Sequence, residues 1–297
     1  MLFNHIFVTD TTEFYYDFMV MSNWSSLLSD MEQDQFRKCG YYRHDLSLEK
    51  TRGEYNLIFL VLNTNIYAKS NYSGSEDPCE QLEWLDGQLN EVTNSASNRI
   101  FILAHIPPGY FERDTSPGPF FQNVYKNDTR FNDRYLEIIT KHSEKPGAIV
   151  AHFYGHTHTD SFRLFKQTTT SSSPMLTNDT PIGLGLISPS VAPKVNSVYG
   201  TNPGIRLYKY NPSNAYLSNY HQYNFNLEEA NHAKHGKQTG YWRELYNFTG
   251  AYKIEDMSLD SMGSLTLALT QNEDLLRKYI YYNTLGSVEQ GPSCKYK

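Results

Sequence analysis

The sequence predicts an α/β fold, and three short apolar runs separated by two amphipathic stretches predict it. Residues 56–63 (NLIFLVLN) form a continuous apolar run of strand length, suited to a strand buried on both faces. Asp77-Pro78 then opens a helix with a cap residue and a proline in the first turn. Leu82, Leu85, Leu89 and Val92 fall on one face of that helix. A second apolar run, 100–104, ends at His105. The Pro/Gly-rich stretch 106–120 after it is long enough for a functional loop. Phe131, Tyr135, Ile138, Ile139 and His142 mark a second amphipathic helix, stopped by Pro146-Gly147. The run 148–154 closes a β-α-β-α-β alternation, which calls for a mostly parallel sheet with covering helices.

Beyond His158 the pattern changes. Residues 161–166, 182–187, 204–210 and 215–223 read as strands with turns between them. Residues 168–178 are a polar Thr/Ser loop, and from about Leu227 the chain reads as helical and tyrosine-rich. The expected division is a main domain over 1–225 and a helical one over 226–297.

With 297 residues, 39% of them apolar, the chain has ample material for a core. A net charge of −6 with no basic stripe excludes a general nucleic-acid binder. No apolar run is long enough for a transmembrane helix. Asn4, His5, Asp10, Glu13 and Asp17 interrupt the first residues, so no signal-peptide core is present. Glycosylation sequons fall at Asn23, Asn71, Asn127, Asn178 and Asn247. The three cysteines leave their state open: Cys39 and Cys79 could pair, Cys294 would then be an orphan, and three buried thiols are the alternative.

The chemistry concentrates in Gly155-His156-Thr157-His158, directly after the third apolar run. Two histidines at i and i+2 behind a buried strand suit a loop that presents two imidazoles to a metal, and Gly155 permits a tight turn. His105 also sits at a strand end, and the carboxyl ends of strands are where open α/β sheets place ligands. A hydrolytic metal site also needs carboxylates, yet no Gly-Asp pair and no Asp-x-His occurs. Of the other histidines, His142 and His152 read as packed in the core, and His221, His232 and His235 as surface residues. Tyr110, Phe111, Phe120 and Phe121 flank the long loop and could wall a base, choline or lipid group, or simply pack.

The AHIPPG and GHTH segments resemble two motifs of the calcineurin-like metallophosphoesterases. Residues 81–85 (QLEWL), 154–161 (YGHTHTDS), 202–208 (NPGIRLY), 37–42 and the tail from about Tyr241 to Tyr282 resemble the acid sphingomyelinase-like phosphodiesterases more narrowly. The resemblance implies a two-sheet β-sandwich flanked by helices, with its first strands missing, and a C-terminal helical subdomain. It implies hydrolysis of sphingomyelin-type lipids or of nucleotide phosphodiesters and phosphoanhydrides, using two Zn2+ ions per site and activated water. His105, His156 and His158 would be metal ligands, and a secreted or lysosomal location would follow.

The same resemblance makes the chain an N-terminally truncated member, since the motifs supplying the bridging carboxylate are not found. Leu2-Phe3-Asn4-His5 resembles a surviving piece, in which Asn4 would be a ligand and His5 the proton donor to the leaving group. Residues 7–10 also resemble the first motif, and the two readings exclude each other. Asp160 is the nearest candidate for a bridging carboxylate, although its position better suits orienting a ligand. The alternative function is a catalytically inactive fragment or binding remnant.

Overall fold

The computed structural model describes residues 10–46, 55–68, 75–111, 131–145, 148–166, 180–195, 200–231 and 240–287. The chain divides into two compact units that alternate along the sequence. One comprises residues 1–154, 165–185 and 212–215, the other 155–164, 186–211 and 216–297.

Strands β1 (Tyr42–Leu46), β2 (Asn56–Leu62), β3 (Asn98–Ala104) and β4 (Ala148–Tyr154) lie in the first unit. They belong to a six-stranded mixed sheet of order β1-β2-β3-β4-β6-β5, completed by β5 (Ser161–Lys166) and β6 (Pro181–Ile187). The β1–β2 pair is antiparallel, while β2–β3 and β3–β4 are parallel, as the alternation predicts. Register is pinned at the start of β2 and β3 by facing asparagines. Asn56 donates to the Asn98 Oδ1 at 2.9 Å, and Asn98 donates to the Val92 carbonyl at 2.7 Å. Phe59, Phe101 and Phe153 stack in a row across neighbouring strands, with centroids 5.6 and 5.8 Å apart.

Helix α1 (Asp10–Met21) and helix α2 (Asp30–Cys39) precede the sheet. Ser29 and Glu32 form a capping box at the start of α2, and Gly40, at φ 76°, supplies its left-handed end. Helix α3 (Gln81–Val92) buries Leu82, Leu85, Leu89 and Val92, the stripe expected from their spacing. Its start differs in detail from the expected cap. Pro78 opens a single 3-10 turn, and the Asp77 carboxylate accepts the amides of Leu82 and Glu83 one turn later, at 3.0 and 2.9 Å. Gln81, wholly buried, donates to the Tyr67 hydroxyl at 2.7 Å and accepts the Asn63 amide at 2.7 Å, tying this helix to the end of β2. Helix α4 (Phe131–His142) buries Phe131, Tyr135, Ile139 and His142.

Cys39 and Cys79 form a disulfide with their Cα atoms 6.2 Å apart. Tyr16, Phe36, Tyr41 and Trp84 pack around it, and the Tyr41 hydroxyl donates to the Cys79 carbonyl at 3.0 Å. Cys294, His232 and His235 lie outside the described residues.

The second unit holds a three-stranded antiparallel sheet, order β11-β10-β9, made of β9 (Gly204–Tyr210), β10 (Leu217–Phe225) and β11 (Trp242–Asn247). A short pair, β7 (Lys194–Val195) and β8 (Gly200–Thr201), precedes it. The tail is helical as expected in α5 (Leu227–Asn231), α6 (Phe248–Tyr252), α7 (Leu259–Gln271) and α8 (Glu273–Asn283). It is not helical throughout, because β11 interrupts it. Trp242, Arg243, Glu244, Leu245 and Tyr246 carry the bulky, alternating side chains a strand prefers, and β10 offers an edge to pair with. Among the described residues no helix is long and apolar enough to cross a membrane.

Candidate active-site loops

His105 follows β3 in the first unit and is exposed. The backbone beside it is fixed from two sides. The buried Ile106 amide donates to Thr64 Oγ1 at 2.7 Å, and the Gly109 amide donates to Asn132 Oδ1 at 2.7 Å. Pro107 and Pro108 are buried, so the turn is rigid while the imidazole reaches solvent. Tyr110 is exposed and Phe111 half-buried; Phe120 and Phe121 lie outside the described residues.

His156 and His158 open the second unit, and both sit in left-handed backbone, at φ 70° and 61°. That conformation costs an L-residue roughly 1–2 kcal/mol and persists only where surroundings impose it, typically at functional sites. The alternation of the loop shows the imposition. Thr157 and Thr159 point inward, 3% and 0% exposed, and their hydroxyls meet at 2.7 Å. The intervening His156 and His158 are left half-exposed. Spacing by two therefore leaves His156 and His158 half-exposed over a threonine-filled base, with the Nδ1 of His158 buried.

Asp160 follows directly and is 4% exposed. Its Oδ1 accepts from the Arg206 guanidinium and from Tyr220 at 3.2 Å, and its Oδ2 accepts from Tyr246. Arg206 is buried too, donating to Gln222 Oε1 at 2.9 Å and to the Tyr208 hydroxyl at 3.2 Å, with its guanidinium 4.0 Å from the Tyr220 ring centre. Burial pushes the Asp160 carboxyl up, against the lowering effect of Arg206 and the tyrosine hydroxyls. Arg206 is held charged beside it. Both oxygens of the Asp160 carboxylate are thus engaged by neighbouring side chains. Sequence reading did not single out Arg206. Its signal was a lone arginine sharing a strand face with Tyr208 inside the stretch 204–210.

The remaining histidines are placed as follows. His152 is fully buried, its Nδ1 2.7 Å from the Tyr135 hydroxyl, which lies 2.9 Å from the Tyr154 hydroxyl; its Nε2 has no hydrogen-bond partner among the described residues. Burial pushes its pKa down to about 3. Gly183 leaves it room: a Cβ there would lie 3.3 Å from Nε2 and 3.0 Å from the Phe165 ring. His142 is buried against Asp86, at 2.8 Å. His221, expected at the surface, is half-buried on β10, where Glu244 of the neighbouring strand reaches its Nδ1 at 2.8 Å.

In kind, the donors at 105, 156 and 158 suit zinc, since imidazole is a common ligand for it. In number they fall short. Among the described residues, no group of three or more His, Cys, Asp or Glu side chains gathers closely enough to hold an ion. Asn4 and His5, as well as Asn71, Asn127 and Asn178, lie outside the described residues. Asn23 is exposed, whereas Asn247 is half-buried and caps α6, accepting the Gly250 amide at 2.9 Å.

A family model described as the acid sphingomyelin phosphodiesterase C-terminal region matches residues 180–297. Acid sphingomyelinase-like phosphodiesterase 3b of Mus musculus is 30% identical over 269 residues, covering 88% of this chain and 53% of the relative. The chain belongs to the acid sphingomyelinase-like phosphodiesterases. Cyclic GMP-AMP phosphodiesterase SMPDL3A of Homo sapiens is 32% identical, over 89% of this chain and 53% of that protein. Sphingomyelinase phosphodiesterase C of Dictyostelium discoideum is 31% identical, over 90% and 55%. This family member thus spans about half the length of the curated relatives it matches. A solved structure, GAP50, the anchor in the inner membrane complex of Plasmodium, matches at TM-score 0.30 and 11% identity over 69% of this chain and 53% of that one, too distantly to bear on the fold.

Proposed function

We propose that this chain is a metal-dependent phosphodiester hydrolase in which His105, His156 and His158 contribute imidazoles to zinc. Asn4 would add a further ligand, and His5 would give the proton to the leaving group. The carrying observation is the loop of residues 155–158, which holds two half-exposed histidines in left-handed backbone over buried threonines. A pair of zinc ions, when bound, supplies a nucleophilic water and polarises the phosphoryl oxygens. The substrate class is a small phosphodiester: a sphingomyelin-type lipid, or a nucleotide phosphodiester or phosphoanhydride. Relatives named for sphingomyelin and for cyclic GMP-AMP support both halves of that class. The Cys39–Cys79 disulfide supports an oxidising compartment, hence a secreted or lysosomal location, and the exposed Asn23 sequon is compatible with glycosylation there.

The test is hydrolysis of bis-p-nitrophenyl phosphate by the 297-residue chain with added zinc in acidic buffer. Zinc-dependent turnover abolished by His156→Ala supports the hydrolase. A second reading, a binding remnant without catalysis, is favoured by the engagement of Asp160 with Arg206 and by the lack of a three-ligand group among the described residues. Zinc binding without turnover supports that one.

A further inference from the structure

Helix α1 and the 3-10 turn after it, Asn23–Leu27, are apolar on two sides. Inward, Tyr16 and Val20 are buried, and the Tyr16 hydroxyl accepts from the Asn63 amide at 2.7 Å. Outward, Phe18, Met21, Trp24, Leu27 and Met31 are 61, 83, 63, 68 and 81% exposed. Phe18 and Met21 are three apart on the helix, and Trp24 and Leu27 three apart on the turn, so each pair shares one side of its element. A helix apolar all round is ordinarily a buried one, and exposed apolar side chains in such density mark an interaction surface.

Three properties of this corner say what covers it. The first is charge. Residues 18–29 (FMVMSNWSSLLS) contain no ionisable side chain, and acids flank them, Asp17 before and Asp30, Glu32 and Asp34 after. Arg37 pairs with Asp17 at 3.3 Å and with Asp34 at 2.7 Å, and the exposed Lys38 is the other base of α2. An uncharged centre with an acidic rim suits a surface whose outermost charge is a trimethylammonium, and is repelled by an anionic one. The second is hydrogen bonding. Ser22 Oγ donates to the Met19 carbonyl at 2.6 Å, Ser25 Oγ to the Ser22 carbonyl at 2.9 Å, Ser26 Oγ to the Asn23 carbonyl at 2.8 Å, and Ser29 Oγ to Glu32 Oε2 at 2.8 Å. Gln33 donates to the carbonyls of Ser25 and Leu28 at 3.1 and 3.0 Å. The corner can therefore leave water with these hydroxyls already paired, at little desolvation cost. A protein partner would ordinarily add about one hydrogen bond per 100–200 Å2, which these serines do not offer. The third is the kind of side chain. Trp24 and Phe18 are aromatic groups that suit a membrane–water boundary, and the flexible Met21, Leu27 and Met31 can settle among acyl chains.

We propose that this corner docks on a zwitterionic lipid bilayer, with Phe18, Met21, Trp24 and Leu27 entering the boundary between headgroups and acyl chains. The attachment is that of an interfacial helix lying on the bilayer, not of a span. It stands apart from any role of the histidines.

The experiment follows the full chain, produced without glycosylation, by co-flotation with phosphatidylcholine vesicles and by quenching of its tryptophan fluorescence with phosphatidylcholine brominated in the acyl chains. The wild type should float and be quenched, and replacing part of the lipid with phosphatidylserine should not strengthen binding. Phe18→Ser and Trp24→Ser should each weaken partitioning about tenfold. Leu267→Ser, at a 59% exposed position of the second unit, should stay within about twofold. Trp24→Phe keeps the corner apolar, so it should bind within about threefold of the wild type while losing the quenching. That variant decides the matter if the serine variants fail to fold: quenching that persists in it overturns the proposal. A wild type that does not float, serine variants that bind as well as the wild type, or a preference for phosphatidylserine also overturn it. A second copy as the true occupant would appear in light scattering as a dimer that Phe18→Ser and Trp24→Ser dissociate, and that result overturns it too. So does occupancy of the Asn23 sequon in protein from a secretory host, read by mass, since a glycan there would stand between Met21 and Trp24.

Discussion

Acidification should loosen the first unit through one buried histidine. Among the described residues His152 is surrounded by Tyr135, Tyr154 and Phe165, and burial alone shifts its titration. Its ordinary value of 6.5 falls to about 3 on burial. The unfolded chain therefore takes up a proton below about pH 6.5 that the folded chain refuses until about pH 3. Stability from this group is complete above the upper value and drains away as pH falls towards the lower one. At 1.36 kcal/mol per unit, the whole shift amounts to roughly 5 kcal/mol, and the part spent between pH 7 and about pH 4.5 is roughly 2.7 kcal/mol. Urea unfolding of the wild type and of His152→Gln at both pH values isolates this contribution, because glutamine does not titrate and can still meet the Tyr135 hydroxyl. The wild type should lose about 2.7 kcal/mol more than the variant on acidification. Parallel losses in both proteins, within about 0.5 kcal/mol, would refute the argument.

The Cys39–Cys79 bond closes a separation of 40 residues, so paired Cys39→Ser and Cys79→Ser replacement should cost about 4 kcal/mol in the chain-entropy account, read as a fall in melting temperature that reductant reproduces in the wild type. His156→Gly should be about 1 kcal/mol more stable than His156→Ala, since only glycine takes the left-handed backbone without penalty; thermal unfolding showing alanine equal or better would remove the strain argument. Leu85→Ala, at a position with no exposed surface, should cost about 3 kcal/mol by urea unfolding.

The α/β half was legible because its signals are local. The apolar runs became β2, β3 and β4, and the stripe of Leu82, Leu85, Leu89 and Val92 became the buried face of α3. His142 and His152 could be assigned to the core because periodicity alone places them on inward faces. The strand β11 was not legible: a tyrosine-rich segment among helices acquires its state from pairing with β10, which no local window reveals. The site was legible in part. Motif spacing marked the histidines, but the pairing of Asp160 with Arg206 spans 46 residues and leaves only a solitary arginine in a strand as its trace. The use of Gln81 as a buried tie between Asn63 and Tyr67 was hidden in the same way, since a glutamine on an apolar helix face reads as a surface residue.

The hydrogen bonds of Asp160 also bear on when the end of the histidine loop can set during synthesis. Its tyrosine partner Tyr246 follows by 86 residues, and Asn283, whose side chain donates to the Asp160 carbonyl at 2.9 Å, by 123. At about 5–20 residues per second, the ribosome delivers Asn283 about 6–25 s after Asp160. Arg206 and Tyr220 emerge earlier, 46 and 60 residues after Asp160, so its carboxylate can be held while the backbone tie to Asn283 is still missing. The loop is thus among the last parts of the nascent chain to mature. A polypeptide released ahead of Asn283 would carry both histidines and lack the backbone tie at Asp160.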